Sequence, residues 1–389
     1  MSDATNPYDA SHIQVLEGCE AMRKRPGMYV GSTTERGLHQ MVFDLAGRAV
    51  NEVLAGRASS VDVTLTPDGG VCVTDDGPGI PIEAVGDDGT PGLEDFLTRM
   101  HPGTLPCGRH AVAMSLFGIG PCVTNALSRR LTAEVRREGV LWFQEYARGA
   151  AVAPPAAAGQ TNAGGTTITF WPDTDIFGTA ECSFDVLSER FRELAFLNHG
   201  LAISLTDERP QAGPRSVRFR FPGGPREFVA LLDAEAAPPV HPDVIGFECD
   251  EPRMAGTVEV ALRWSCSHEE RVRGYANSEP TPEGGTHVAG FRDGVAAAVD
   301  SYARNSRLLA EAAPALGADQ IVQGLTAVVS VKLDHPEFSG ATRGMLGGGT
   351  TVQAGVEEAV VEHLGNWLEQ HPEQAAAIVD RISQGACRH

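Results

Sequence analysis

Relative to its length, this 389-residue sequence is short of positive charge: 31 lysines and arginines stand against 51 aspartates and glutamates, a formal net charge of -20. That field repels polyanions, so binding to DNA or RNA needs a local basic patch working against it. The longest basic run is Arg23-Lys24-Arg25, and no direct nucleic-acid contact is expected; the bland reading is an acidic surface that aids solubility. Cysteine is sparse as well, eight residues at positions 19, 72, 107, 122, 182, 249, 266 and 387, with no C-x-x-C pair and no histidine at zinc spacing. They read as free thiols in a reducing compartment, against a disulfide framework. The opening MSDATNPYDASH lacks the charged and apolar regions of a signal peptide, and no uninterrupted apolar stretch approaches 18 residues. A cytoplasmic protein without a membrane span is the expectation.

A hydrophobic content of 42% and a charged content of 21% are those of an ordinary globular protein, and the length predicts two domains. Residues 1–12 are a polar arm without periodicity. Apolar residues at helical spacing predict a helix over 13–22, stopped at Arg25-Pro26-Gly27, and a second over 36–55 with Leu38, Met41, Val42, Leu45, Ala49, Val50, Val53 and Leu54 on its buried face. Alternation predicts a hairpin, 61–65 and 71–74, around Pro67-Asp68-Gly69-Gly70, followed by the DDGPGIP turn at 75–81. Residues 82–110 read as irregular, then SLFGIGPCVTNALS turns helical. Strands are predicted at 131–136, 141–146 and 166–171, with 150–165 as a loop. A shift to Pro, Arg and Gly over 207–224 marks a domain boundary. Beyond it the pattern predicts strands at 257–264 and 325–333, helices at 286–305 and 352–383, a Gly-rich corner at 344–349 and a βαβ crossover.

The segments VLEGCEAMRKRPGMYVGSTTERGLHQMVFD, AVNEVLAG, DDGPGIP, FGIGPCVTNALS, GTTITFWP, LAFLN and EGGTHVAGFR follow one another over nearly the whole chain. In that order they resemble the ATPase and transducer region of DNA gyrase B and of its counterpart in topoisomerase IV. The resemblance implies an α+β chain: an N-terminal arm at 1–12, a GHKL (Bergerat) ATPase sandwich over 13–220, and a ribosomal protein S5-like transducer domain over 221–389. In that family the arm wraps over the partner's nucleotide site, which implies a homodimer here with Tyr8 and Ile13 at the arm's contacts. Nothing in the chain resembles the acidic metal-binding region used for DNA cleavage, so a complete topoisomerase is not expected of it alone.

ATP hydrolysis of this type needs a carboxylate to activate water, an oxygen ligand for magnesium, and backbone N–H groups round the triphosphate. The family's helix supplies a glutamate as base and, one turn on, an asparagine as metal ligand; here those positions hold Asp44 and Arg48. Aspartate is a methylene shorter, and a displacement of about 1 Å can cost on the order of 100-fold in rate. Arginine has no lone pair, so it cannot ligate magnesium. Spaced i, i+4, the two favour an ion pair with each other that seals the site; the alternative is an Arg48 that points into the pocket and binds an anionic or carbonyl group. In the phosphate loop Met114 and Ser115 replace a glycine pair and Phe117 a polar group, while Gly118 and Gly120 remain as an anion site. Asp75 matches the base-reading aspartate and Thr166 its supporting threonine, with Val73, Ile80 and Ile168 as apolar walls. Pro78 and Phe143 stand where two rim arginines are implied, and Ala341-Thr342-Arg343 replaces the Gln-Thr-Lys sensor, keeping only the cation of Arg343.

Three functions fit these departures. The first is a gyrase-B-like protein without Mg-ATP hydrolysis whose former nucleotide pocket binds another small molecule. The second is a cofactor-independent cyclase or isomerase with Asp44 or Asp75 as acid/base and Arg48 polarising a carbonyl. The third is an ATP-binding dimerisation module that regulates a topoisomerase. No cofactor or metal is called for in the first two, and residual ATP binding belongs to the third.

Overall fold

Two short helices, α1 (Gly18–Lys24) and α2 (Gly27–Val30), open the described part of the chain. They are split at Pro26, because the residue before a proline is driven out of helical geometry. In this computed structural model the described residues are 18–83, 90–100, 109, 111–112, 114, 119–209, 213–234, 237–309, 316–340 and 343–384. Tyr8, Ile13, Phe117, Gly118 and the 1–12 arm lie outside them.

Helix α3 (Glu35–Leu54) buries Leu38, Met41, Val42, Leu45, Ala49 and Val50, the stripe that its 3.6-residue period lines up. The hairpin follows as β1 (Val61–Leu65) and β2 (Val71–Asp75), antiparallel, with Val61 opposite Asp75. The stretch expected to be irregular contains α4 (Gly92–Thr98), whose first turn carries Glu94 and Asp95 at the positive end of the helix dipole. After α5 (Cys122–Ala126) come β3 (Ser128–Arg137) and β4 (Val140–Ala147). The expected 150–165 loop instead forms β5 (Ala150–Ala151) and β6 (Ala156–Gln160), both paired to β4. Alanine and glycine hide strand structure from a propensity reading, and pairing to an existing edge overrides it. β7 (Gly165–Pro172), α6 (Thr174–Phe177), α7 (Phe184–Leu197), β8 (Ile203–Asp207) and β9 (Arg215–Phe219) complete this half. Its nine strands run β5-β4-β3-β7-β2-β1-β8-β9, with β6 on β4.

The second sheet, β10-β11-β14-β12-β13, has five strands. After α8 (Pro225–Asp233) come β10 (Ile245–Glu251), β11 (Gly256–Trp264), β12 (Arg271–Ala276), β13 (Glu279–Pro280), α9 (Thr286–Asn305), α10 (Ala318–Ile321) and β14 (Leu325–Leu333). The small pair β15 (Phe338–Ser339) and β16 (Met345–Leu346) precedes α11 (Gly349–Gln370) and α12 (Pro372–Gln384). The parallel partner of β14 is β12, whereas β11 pairs with it antiparallel. The βαβ unit is therefore β12-α9-β14, starting from a strand that the charged RVRGYA pattern concealed. The helix expected over 352–383 is two helices, since Pro372 cannot donate to the preceding turn and starts a new helix instead. Five described cysteines are free, but Cys266 is disulfide-bonded, which corrects the expectation of free thiols throughout. Among the described residues no helix is long and apolar enough to cross a membrane.

Helix α7 joins the halves. Phe196 stacks on Phe221 at 3.7 Å and on Phe228 at 4.7 Å between ring centroids. Arg190 donates to the Ser278 carbonyl (3.0 Å) and to Glu279 (3.2 Å), and Glu193 accepts from Arg273 (2.9 Å) and the Tyr275 hydroxyl (3.0 Å).

The second half also buries His241 and His287, and burial pushes each ring down to about 4. A lowered folded value means that the fold holds the neutral ring. The associated stability is present above the ordinary value near 6.5 and is lost as pH falls towards 4. The expected outcome is that both rings remain neutral in NMR titration at pH 5, and that each contributes a loss on the order of 3 kcal/mol to urea-measured stability by pH 4. Ring signals titrating near 6.5 contradict it.

Candidate functional site

Sheet register decides which side chains meet. Asp75 lies opposite Val61 on one side and Thr166 on the other, and Thr166 lies opposite Val135, which faces Trp142. Residues opposite one another share a face, so Asp75 is the one carboxylate in a row otherwise made of Val61, Thr166, Val135 and Trp142. Val73 and Ile168, opposite each other two residues along, share that face and are buried there with Ile80. Thr166 is fully buried and its hydroxyl accepts from the Ile80 N–H at 3.2 Å, tying the DDGPGIP turn to the sheet. The structure therefore brings Asp75, Thr166, Val73, Ile80 and Ile168 together.

Phe143 is not part of this cluster. It pairs with Glu134, which pairs with Thr167, one residue out of the Asp75 row. It points to the opposite face of the sheet and cannot wall the pocket. The rim does carry an arginine that the sequence reading missed: Arg137 Nη1 donates to the Gly79 carbonyl at 3.3 Å, beside the exposed Pro78. Its signal was present in the VRREG turn between β3 and β4, at the end of the strand adjoining β7. Arg343 sits in the second half, with its guanidinium 5.7 Å from the Phe338 ring centroid and close enough to Glu279 to act on its charge.

The central contact is an ion pair between Arg48 Nη2 and Asp75 Oδ2. Asp75 is 1% exposed and the Arg48 side chain 16%. Asp75 also accepts the Gly77 N–H through Oδ1 at 3.0 Å. The i, i+4 expectation that Arg48 would pair with Asp44 is thus corrected: the guanidinium reaches across to the sheet. Asp44 instead accepts from Gln40 Nε2 at 2.9 Å, and it is buried. The long arginine stem makes this choice possible, and the deeper carboxylate gains more from the pairing because little solvent screens it.

The same face of α3 is covered from outside. Gln40 Nε2 donates to the Met114 carbonyl at 2.8 Å, and Asn51 both donates to the Val112 carbonyl and accepts the Val112 N–H at 2.9 Å. Gly47 lets this segment approach, since a Cβ there would lie 3.1 Å from the Met114 Cβ. Positions 40, 44, 47 and 51 form one helical stripe, so residues 112 and 114 lie directly over the turn that carries Asp44. The sequence reading took Met114 as the replacement of a phosphate-loop glycine and missed Gln40, Gly47 and Asn51, which hold it down. Nearby, burial pushes the Cys122 thiol up to about 12, so it supplies no thiolate nucleophile at neutral pH. Gly120 keeps a left-handed backbone, φ 97°.

Comparisons with known proteins fit this arrangement to a family. The profile described as DNA gyrase B matches residues 224–388, and that of histidine kinase-, DNA gyrase B-, and HSP90-like ATPases matches 33–176. The chain is 44% identical over 400 residues to the DNA gyrase B of Streptomyces coelicolor, covering 99% of this chain and 58% of that protein. It is 41% identical to the novobiocin-sensitive DNA gyrase B of Streptomyces niveus, covering 99% and 59%. The crystal structure of the 43K ATPase domain of Thermus thermophilus gyrase B in complex with an aminocoumarin matches with a TM-score of 0.80 at 32% identity, covering 95% of both chains. The chain spans less than two thirds of the length of the curated relatives it matches.

Removing one member of the buried pair leaves the other charged and unpaired. Arg48→Ala is expected to cost about 3 kcal/mol in urea unfolding, and adding Asp75→Asn to recover part of it, with a coupling of about 1–3 kcal/mol in the double-mutant cycle. Additive single mutants would show that the two side chains do not meet in solution.

Proposed function

The chain belongs to the DNA gyrase B family, with the GHKL ATPase fold followed by the gyrase B transducer domain, and from that premise we propose that it does not hydrolyse Mg-ATP and that its former nucleotide pocket takes another small molecule. The observation that carries this reading is the Arg48–Asp75 ion pair. It occupies the carboxylate that, by family resemblance, reads the adenine base. It also puts a cation where the family places a magnesium ligand. The cover of residues 112 and 114 over the Asp44 turn supports it further. Arg48 retains N–H groups beyond the one committed to Asp75, so the ligand is one with a carbonyl or anionic group, seated against Val73, Ile80 and Ile168.

The division at 220/221, the 1–12 arm with Tyr8 and Ile13 at a homodimer contact, and a role without direct nucleic-acid contact belong to the same reading. The cyclase or isomerase alternative is not carried forward. Phe143 faces away, Asp75 is held by Arg48 and Asp44 is buried, which leaves no free acid/base among the described residues of the cluster. Ordinary gyrase B relatives make retained ATP binding the competing outcome.

Titration calorimetry with a non-hydrolysable ATP analogue, with and without magnesium, separates the two. The expected result is no magnesium-dependent binding by the native chain, and recovery of nucleotide binding, with little turnover, when Arg48→Asn and Asp44→Glu are combined. Magnesium-dependent binding with hydrolysis by the native chain overturns the proposal. An aminocoumarin, the ligand class of the Thermus thermophilus complex, is the first small-molecule probe of the native pocket.

A further inference from the structure

The seam between the two halves holds a polar cluster that the nucleotide pocket does not use. Glu248 on β10 lies opposite Glu259 on β11, so both carboxylates rise from the same face of the second sheet. His199, which follows α7 in the first half, brings its Nε2 to 2.8 Å from Glu259 Oε1. One ligand atom from each of the three residues falls within 4.8 Å of the others.

Hydrogen-bond accounting shows what is missing there. The other ring nitrogen, Nδ1, is 3.3 Å from the Pro222 carbonyl, and a carbonyl can only accept, so Nδ1 carries the proton. In a neutral ring Nε2 then offers a lone pair towards a carboxylate that also offers only lone pairs. An imidazolium resolves that clash but leaves Glu259 Oε2, a buried atom on a side chain 8% exposed, without any hydrogen-bond partner. The ring cannot easily turn away, because it packs against Gly224, where a Cβ would lie 2.4 Å from His199 Cε1. Lys332, on the same face of β14 beside Thr257, acts on Glu259. With a neutral ring, two carboxylates against one ammonium leave one negative charge uncompensated; a bound cation would balance it without protonating the ring.

We propose that His199 Nε2, Glu248 and Glu259 bind a divalent cation of the zinc type, clamping the first half of the chain to the second sheet. An imidazole with two carboxylates is a donor set for such metals, three protein ligands with the remaining position open to water. The Nδ1–H bond to a backbone carbonyl is the outer contact that orients a metal-binding histidine. Tetrahedral ligands at zinc distances are about 3.4 Å apart, a contraction that exposed Glu248 can make by rotating. Binding exchanges the proton between His199 and Glu259 for the metal and gives Glu259 Oε2 a partner.

The test uses the full chain, stripped with a chelator and titrated with zinc sulfate. One equivalent of Zn2+ is expected, with a rise in the thermal midpoint. His199→Gln, Glu259→Gln and Glu248→Gln are each expected to weaken binding at least about tenfold, and His335→Gln, an exposed histidine elsewhere, to leave it unchanged. Glu248 is exposed, so its variant folds whatever Glu259→Gln does to the seam. No stoichiometric zinc, or zinc bound equally well by all three variants and hence held at the free cysteines, overturns the proposal.

Discussion

A guanidinium and a carboxylate buried side by side, Arg48 and Asp75, constrain everything round the cluster at the end of β2. Two charges taken out of water need their remaining donors and acceptors satisfied, or the pair costs more than it returns. Here the second oxygen of Asp75 takes the Gly77 N–H, which shapes the turn after β2. The Ile80 N–H of the same turn is held by Thr166 across the sheet. On the helix side, Arg48 lies beside the stripe that Gln40, Gly47 and Asn51 use to hold residues 112 and 114. Helix, turn and covering segment are thus mutually supporting.

That interdependence explains why single departures from the family pattern are poor guides taken one at a time. Asp44 read alone is a shortened base, and Met114 read alone is a replaced loop glycine. Together with Gly47 they describe a site in which the covering segment comes down onto the helix, because a residue without a side chain leaves it room.

The parts legible in the sequence were those governed by local periodicity. The α3 stripe and the β1–β2 hairpin follow from spacings of 3.6 and 2 within one segment, and α9 fell at its expected bounds. What stayed hidden depended on partners far along the chain. Whether Arg48 meets Asp44 one turn away or Asp75 twenty-seven residues on depends on which carboxylate is better shielded, a property of the assembled sheet. Phe143, placed at the rim by resemblance alone, turns to the other face for a related reason: the face a strand residue takes depends on its register with its neighbours. Strand β12 was missed because arginines hold two of its alternate positions: Arg273 reaches Glu193 across the seam, and Arg271 pairs with nearby Glu269.

Family membership and reaction chemistry therefore rest on different residues of this chain. The fold rests on buried positions such as Met41, Leu45, Val73 and Ile168, where changes of volume are costly. The chemistry of a site depends on a few polar atoms, and exchanging them leaves such a core intact. A fold can thus persist at high similarity while its site changes character. The core specifies the family, whereas the contact of Arg48 with Asp75 is set by two side chains that the core would tolerate changing.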